Sequence, residues 1–236
     1  MILRAILGVL ALASAAGAQT APPPHYPAML PIERYLIADR KAEIALSRTA
    51  AAPSISDHAT VLVLGRHGYE TAVKGTNGFV CFIERSWTAG VDDPVFWDPA
   101  VRAPNCFNLP AVRTVLPMYV QRTKWVLAGA TRAQIAERTR AEFAAHRITA
   151  PAPGSFSFMT SKEGDLGDPA SGGPWLPHVM FFIPHGQGPV WAAGLDASPV
   201  IGSESRAFEP TVLYIPVRRW SDGSPAPAAS DLSHKM

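Results

Sequence analysis

The run Thr60-Val-Leu-Val-Leu64 constrains the fold more than any other stretch. An unbroken apolar run of this length suits a strand covered on both faces, not one with a solvated side. Tyr69 to Lys74 reads as a second short strand. Gly75-Thr76-Asn77-Gly78 between them and the next segment reads as a tight turn, because Gly and Asn tolerate positive φ. Phe79 to Trp87 reads as a third strand. In it Phe79, Cys81, Ile83 and Trp87 point one way, while Val80, Phe82 and Glu84 point the other. Both sets are mostly apolar, so this strand belongs inside a sheet. The expectation is a three-strand β meander.

Helical patterns lie on either side. Pro31 suits a first helical position, and Ile32 to about Thr49 holds good helix formers, so one helix is expected over Pro31 to Thr49. Leu116 to Ala128 reads as a second helix, with Pro117 near its start and Gly129 as its stop. Thr131 and Gln134 have capping-box spacing and open a third helix to about His146. The last two are expected to form a helical hairpin. Further strands are expected at Ser155 to Met159, Val179 to Ile183, Val190 to Leu195 and Thr211 to Val217. Thr88 to Pro110 carries little periodicity and reads as a loop. This order predicts a single α+β domain: a mostly antiparallel sheet with an N-terminal helix and a central helical hairpin.

The N-terminus sets a compartment. Met1-Ile-Leu-Arg4 is a short basic n-region, Ala5 to Ala15 is an uncharged apolar stretch, and Ala16-Gly17-Ala18 supplies small residues before a cut at Gln19. The stretch is shorter than the roughly 20 residues a spanning helix needs. The expected organisation is therefore a signal peptide over residues 1–18 and a flexible segment over 19–30. The domain then covers 31–222, and a flexible Pro-containing tail covers 223–236. An exported protein, periplasmic or secreted, with no membrane span in its mature chain follows. Export gives meaning to the 2 cysteines, Cys81 and Cys106. In an oxidising compartment such a pair reads as a disulfide, the alternative being a nucleophilic or redox thiol. Closing that loop stabilises by about 3.5 kcal/mol in the chain-entropy account. Lys and Arg number 21 against 19 Asp and Glu, a balance that offers nucleic acid no basic surface. The partner expected is a small molecule or an envelope component.

Few residues offer chemistry. There is no Gly-x-Ser-x-Gly elbow, no Ser-x-x-Lys pair and no Walker loop, and no cofactor is expected. His178 and His185 would sit at the two ends of one strand, and Asp165 and Asp168 lack the alternating pattern of a calcium loop, so no metal is expected. Trp87, Trp97, Trp175 and Trp191 read either as core or as the lining of a sugar- or peptide-binding cleft. Glu84 is the odd residue. A carboxyl on a central strand needs a partner, and His67, His178, Arg85 and Lys74 are the candidates. Glu84 and His178 are the binding residues expected if the two share a concavity.

Two resemblances add to this. Arg66-His67-Gly68 at the end of an apolar strand resembles the opening motif of the histidine phosphatase superfamily, and Phe181-Phe-Ile-Pro-His185-Gly186 is similar to its second histidine segment. The resemblance implies His67 as the phosphate-accepting nucleophile, Arg66 as a clamp on phosphate oxygens, His185 as a further phosphate donor and Glu70 as general acid. The activity implied is phosphomonoester hydrolysis. The residues alone also fit a polar hairpin turn with an exposed Arg and His. More widely, Ala59 to Trp87, Leu116-Pro117 and Pro177 to Pro184 resemble a family of exported bacterial proteins with no assigned activity. That resemblance implies no catalytic role. The reading taken forward is a non-catalytic binding or envelope-associated domain, with the phosphatase as its alternative.

Overall fold

A computed structural model describes residues 26–167, 176–204 and 208–227. The expected signal over residues 1–18, together with Asp168, Trp175 and most of the tail, lies outside the described residues.

The strands are β1 (Thr60–Gly65), β2 (Gly68–Val73), β3 (Val80–Glu84), β4 (Ala103–Phe107), β5 (Phe156–Met159), β6 (His178–Ile183), β7 (Ile201–Ser203) and β8 (Thr211–Pro216). They form one sheet in the order β2-β1-β3-β4-β5-β6-β8-β7. All neighbours are antiparallel except β1 and β3. The helices are α1 (Arg40–Arg48), α2 (Pro53–Ser56), α3 (Leu109–Thr114), α4 (Leu116–Leu127) and α5 (Arg132–Ala144). The protein is thus a single-domain α+β fold on a mostly antiparallel sheet.

The meander is not formed as expected. β1 lies between β2 and β3, and it pairs with β3 in parallel. The Gly75 to Gly78 segment does not reverse the chain beside β2; it crosses under the start of β1. Thr76 N–H donates to His58 O at 2.8 Å, and Thr60 N–H donates to Phe79 O at 2.9 Å. Gly75 makes the crossing possible. A Cβ there would lie 2.2 Å from Ala59 C and Thr60 N, closer than any side chain allows.

Other elements differ for similar reasons. The expected N-terminal helix is split into a 3-10 turn, Ile32–Arg34, and α1. Asp39 caps α1 by accepting from Lys41 N–H at 2.8 Å, and fully buried Tyr35 anchors the intervening chain through its hydroxyl to Trp97 O at 2.8 Å. Tyr26, Met29 and Leu30, expected in a flexible segment, pack against the cluster around Tyr35, Trp87, Phe96 and Trp97. The expected loop Thr88 to Pro110 contains β4, which pairs along its full length with β3. Pro104 and Asn105 hide this strand from a propensity reading. Val190 to Leu195 is not a strand: Gly188–Trp191 is a 3-10 turn, and Ala192 at φ 61 ends it. At the C-terminal end, Pro225 bridges back to Arg219 instead of trailing off. The capping box of Thr131 and Gln134 is present at the start of α5, and α4 packs on α5 as a hairpin.

The alternation read in β3 agrees with its register. Cys81 faces Cys106 and Ile83 faces Pro104, while Val80, Phe82 and Glu84 face Phe107, Asn105 and Ala103. The Cys81–Cys106 disulfide is formed. It packs with Ala50, Ala51 and Ala59 on the face under α1. The other face carries Phe82, Phe107, Met159, Met180 and Phe182 and is covered by Ala111, Leu116, Met118 and Tyr119 of α3 and α4. No helix of the described residues is long and apolar enough to cross a membrane.

Candidate functional site

The α4-covered face of the sheet is not closed along its whole length. A cavity of about 390 Å³ lies between the ends of β3 to β6, β8, the N-terminal half of α4 and the segment Thr88 to Val95. Period-2 geometry decides what enters it. Glu84 of β3, Met159 of β5, His178, Met180 and Phe182 of β6, and Val212 and Tyr214 of β8 all project from one face, as the pairing registers require. Met118 and Tyr119 descend from α4. The walls are mostly apolar, and a few polar groups converge between them, the usual composition of a small-molecule site.

Glu84 is the central polar group. The residue is buried, 9 % exposed. Asn105 Nδ2 donates to Oε1 at 2.6 Å. Thr88 Oγ1 lies 3.1 Å from Oε2 and 2.7 Å from Arg85 O, so one hydroxyl proton serves two acceptors. Burial dominates and pushes the carboxyl up to about 7, while the Asn105 and Thr88 hydrogen bonds and the charge of Arg122 oppose the rise. Glu84 therefore changes charge near neutral pH.

The two buried arginines near it face other partners. Arg85 Nη2 pairs with Glu43 at 2.9 Å, while its Nε donates to Tyr35 O and its Nη1 to Ile83 O. Arg122, fully buried on α4, pairs with Glu209 and donates through Nη1 to Ala89 O at 2.8 Å and Trp87 O at 3.2 Å. Burial pushes Arg122 down to about 10, which leaves it charged at neutral pH. Glu209 answers that charge. Glu84, Asp92, Asp93 and Glu204 also line the opening, beside Arg85, Thr88, His178, Ser203 and Tyr214, so its charged lining is mostly acidic.

His178 shares the cavity with Glu84. Its Nδ1 lies 2.7 Å from Leu176 O. A carbonyl only accepts, so Nδ1 carries the proton and Nε2 the lone pair in the neutral ring. Burial lowers its pKa below the ordinary histidine value, against the hydrogen bond to Leu176. Its ring meets Tyr214 edge-on at 5.5 Å, and the Tyr214 hydroxyl is 2.9 Å from Ser203 Oγ.

The residues of the phosphatase resemblance are not brought together. Arg66 and His67 form the exposed two-residue turn between β1 and β2. Arg66 pairs with Glu33 at 2.5 Å and Glu70 pairs with Arg40, both at the surface. Three strands separate β1 from β6, roughly 19 Å at ordinary strand spacing. β6 also runs opposite to β1, so the residues that follow each strand leave at opposite ends of the sheet. His185 sits behind the cavity wall instead, with Nδ1 3.1 Å from Glu209 O and 3.3 Å from Glu204 and its ring 5.0 Å from Phe208. The convergence of Arg66, His67 and His185 on one phosphate is therefore not formed. Trp87 and Trp97 are core residues, and Trp191 is exposed, so these tryptophans line no common cleft.

Sequence reasoning missed the Arg122–Glu209 pair and the methionines of the cavity. One signal was available for Arg122. It lies within the helical stripe Leu116, Tyr119 and Val126, and a charged residue on a packed face requires a buried partner. Glu209, far along the chain, had no such pattern.

Comparison with protein-family models, with curated proteins and with solved structures finds no match to this chain. The class is thus defined by fold and cavity alone: a disulfide-stapled α+β domain with an acidic, apolar-walled cavity on one face of its sheet.

Proposed function

We propose that this chain is an exported, non-catalytic binding protein whose ligand occupies the cavity beneath α4. Its ligand is a small, mainly apolar molecule that presents an amine or another N–H donor to Glu84. The observation that carries this reading is the buried Glu84 carboxyl in an apolar-walled cavity whose charged lining residues are acidic except for Arg85, which is paired with Glu43. Both nearby arginines are engaged elsewhere, so nothing in the lining offers an anion a cationic partner. A cationic or N–H-bearing group matches that lining, and the apolar walls match its body. Export is supported by the pattern Met1 to Ala18 and by the Cys81–Cys106 disulfide. The compartment is the periplasm or the exterior.

The test is a thermal-shift and calorimetric screen of matched alkylamines and alcohols of equal chain length. Amines raise the melting temperature and alcohols do so less. Glu84→Gln removes the amine preference, and His67→Ala, on the remote turn, leaves it intact. Binding weakens as pH falls below about 7, because the carboxyl that receives the ammonium becomes protonated. Equal binding of both series, or an unchanged preference in Glu84→Gln, refutes the reading. Recovery of a periplasmic product beginning at Gln19 tests export.

A further inference from the structure

The carboxyls that line the cavity lie at different depths. Glu84 is buried, Asp93 is half-buried and Asp92 is exposed, so they run from its interior to its rim. An apolar strip joins the two levels. Ala103 is the register partner of Glu84, Val95 lies two residues beyond Asp93, and both line the cavity together with Val101. Tyr214 stands within the field of both ends. Burial first, and then the charges of Glu84 and Asp93, raise its hydroxyl above the ordinary tyrosine value, against the hydrogen bond with Ser203.

The rim aspartates have no cation at contact distance. Among the described residues neither Asp92 nor Asp93 forms an ion pair. Asp93 Oδ1 accepts from Val95 N–H at 3.0 Å, which fixes that side chain at the rim. Burial lowers the pKa of Arg132 and the charges of Asp93 and Asp92 oppose that fall, so Arg132 senses both. Its guanidinium, however, lies over the Phe96 ring at 4.9 Å. Glu204, the remaining carboxyl of the opening, is taken by Gly186 N–H and by His185 at 3.3 Å. One cation therefore fits at Glu84 and a second at Asp92 and Asp93. The space of about 390 Å³ lies near the low end of small-molecule sites and suits a short apolar spacer between them. A monoamine would leave the rim carboxyls facing a methyl group instead of a charge.

We propose that the ligand is a linear aliphatic diamine, with one ammonium at Glu84, its methylenes along Val95, Val101 and Ala103, and the other ammonium at Asp92 and Asp93. The inference rests on the amine-binding reading and narrows it from any amine to a doubly charged one.

The experiment is calorimetric titration with diaminoalkanes of four to eight carbons, each beside the monoamine and the amino alcohol of equal chain length. It is run above the Glu84 transition at about 7, where that carboxyl is ionised. The best diamine should bind about fivefold or more tighter than either control, beyond the factor of about two that two equivalent ends supply. The excess should shrink as salt is added, because the rim is open to solvent. Asp92→Asn/Asp93→Asn keeps an acceptor for Val95 N–H and should lower the diamine-to-monoamine ratio to about two or less. A ratio of about two or less in the wild type at every length overturns the inference. So does an unchanged ratio in the double variant. Should that variant not fold, the wild-type comparison of diamine with amino alcohol decides alone. If monoamines outbind alcohols through Glu84 while diamines gain nothing, only this inference falls. If no amine outbinds its alcohol, the amine reading falls and this one falls with it.

Discussion

The carboxyl of Glu84 makes the stability of the whole domain depend on pH in a direction opposite to that of most paired acids. Its ordinary value is 4.5, and burial raises it in the folded state to about 7. Between those values the folded chain holds a proton that the unfolded chain has released. The contribution of Glu84 to stability therefore falls as pH rises from about 4.5 to about 7 and is flat on either side of that window. The span of the shift corresponds to about 3 kcal/mol. Glu84→Gln keeps the shape of the side chain and an acceptor for Asn105 Nδ2, but it cannot ionise. Urea unfolding of both proteins at intervals from pH 4.5 to 8.5 isolates the contribution of this residue, since all other groups are shared. The stability difference should move by about 3 kcal/mol in favour of Glu84→Gln across the window. Two parallel curves would show that the carboxyl is not desolvated in the folded protein, and the acidic-cavity argument would fall with it.

Breaking the Cys81–Cys106 bond with a Cys81→Ala/Cys106→Ala variant should cost about 3.5 kcal/mol for a sequence separation of 25, read as a fall in melting temperature of roughly 10 °C. An unchanged melting curve would deny the staple any role. Arg122→Met leaves Glu209 buried without its partner and should destabilise by about 3–5 kcal/mol. Adding Glu209→Leu should recover most of that loss in denaturant titrations, and no recovery would refute the pairing. Gly75→Ala places a Cβ 2.2 Å from the backbone of Ala59 and Thr60 and should cost about 3 kcal/mol or more. A variant as stable as the parent would mean that the crossing under β1 is wrongly placed.

What could be read along the chain was local. The period-2 alternation of Val80 to Glu84 put Cys81 and Glu84 on opposite faces, and the register keeps them there. The capping box of Thr131 and the stop at Gly129 are properties of a few adjacent residues, so they survive in any context. The mostly antiparallel α+β class follows from the same short-range patterns. The parallel pairing of β1 with β3 did not, because it depends on Gly75 meeting backbone 15 residues away, at Thr60. β4 was hidden by Pro104 and Asn105, whose weak strand preference is overridden by pairing with β3. The cavity is the extreme case. Glu84, Met118, Met159, His178 and Glu209 come from five separate elements and loops, and only the strand registers and the descent of α4 bring them to one opening. Backbone periodicity is a short-range property and can be read from neighbours in sequence. Which side chains share a space is settled by pairings between distant segments, and no local preference encodes those.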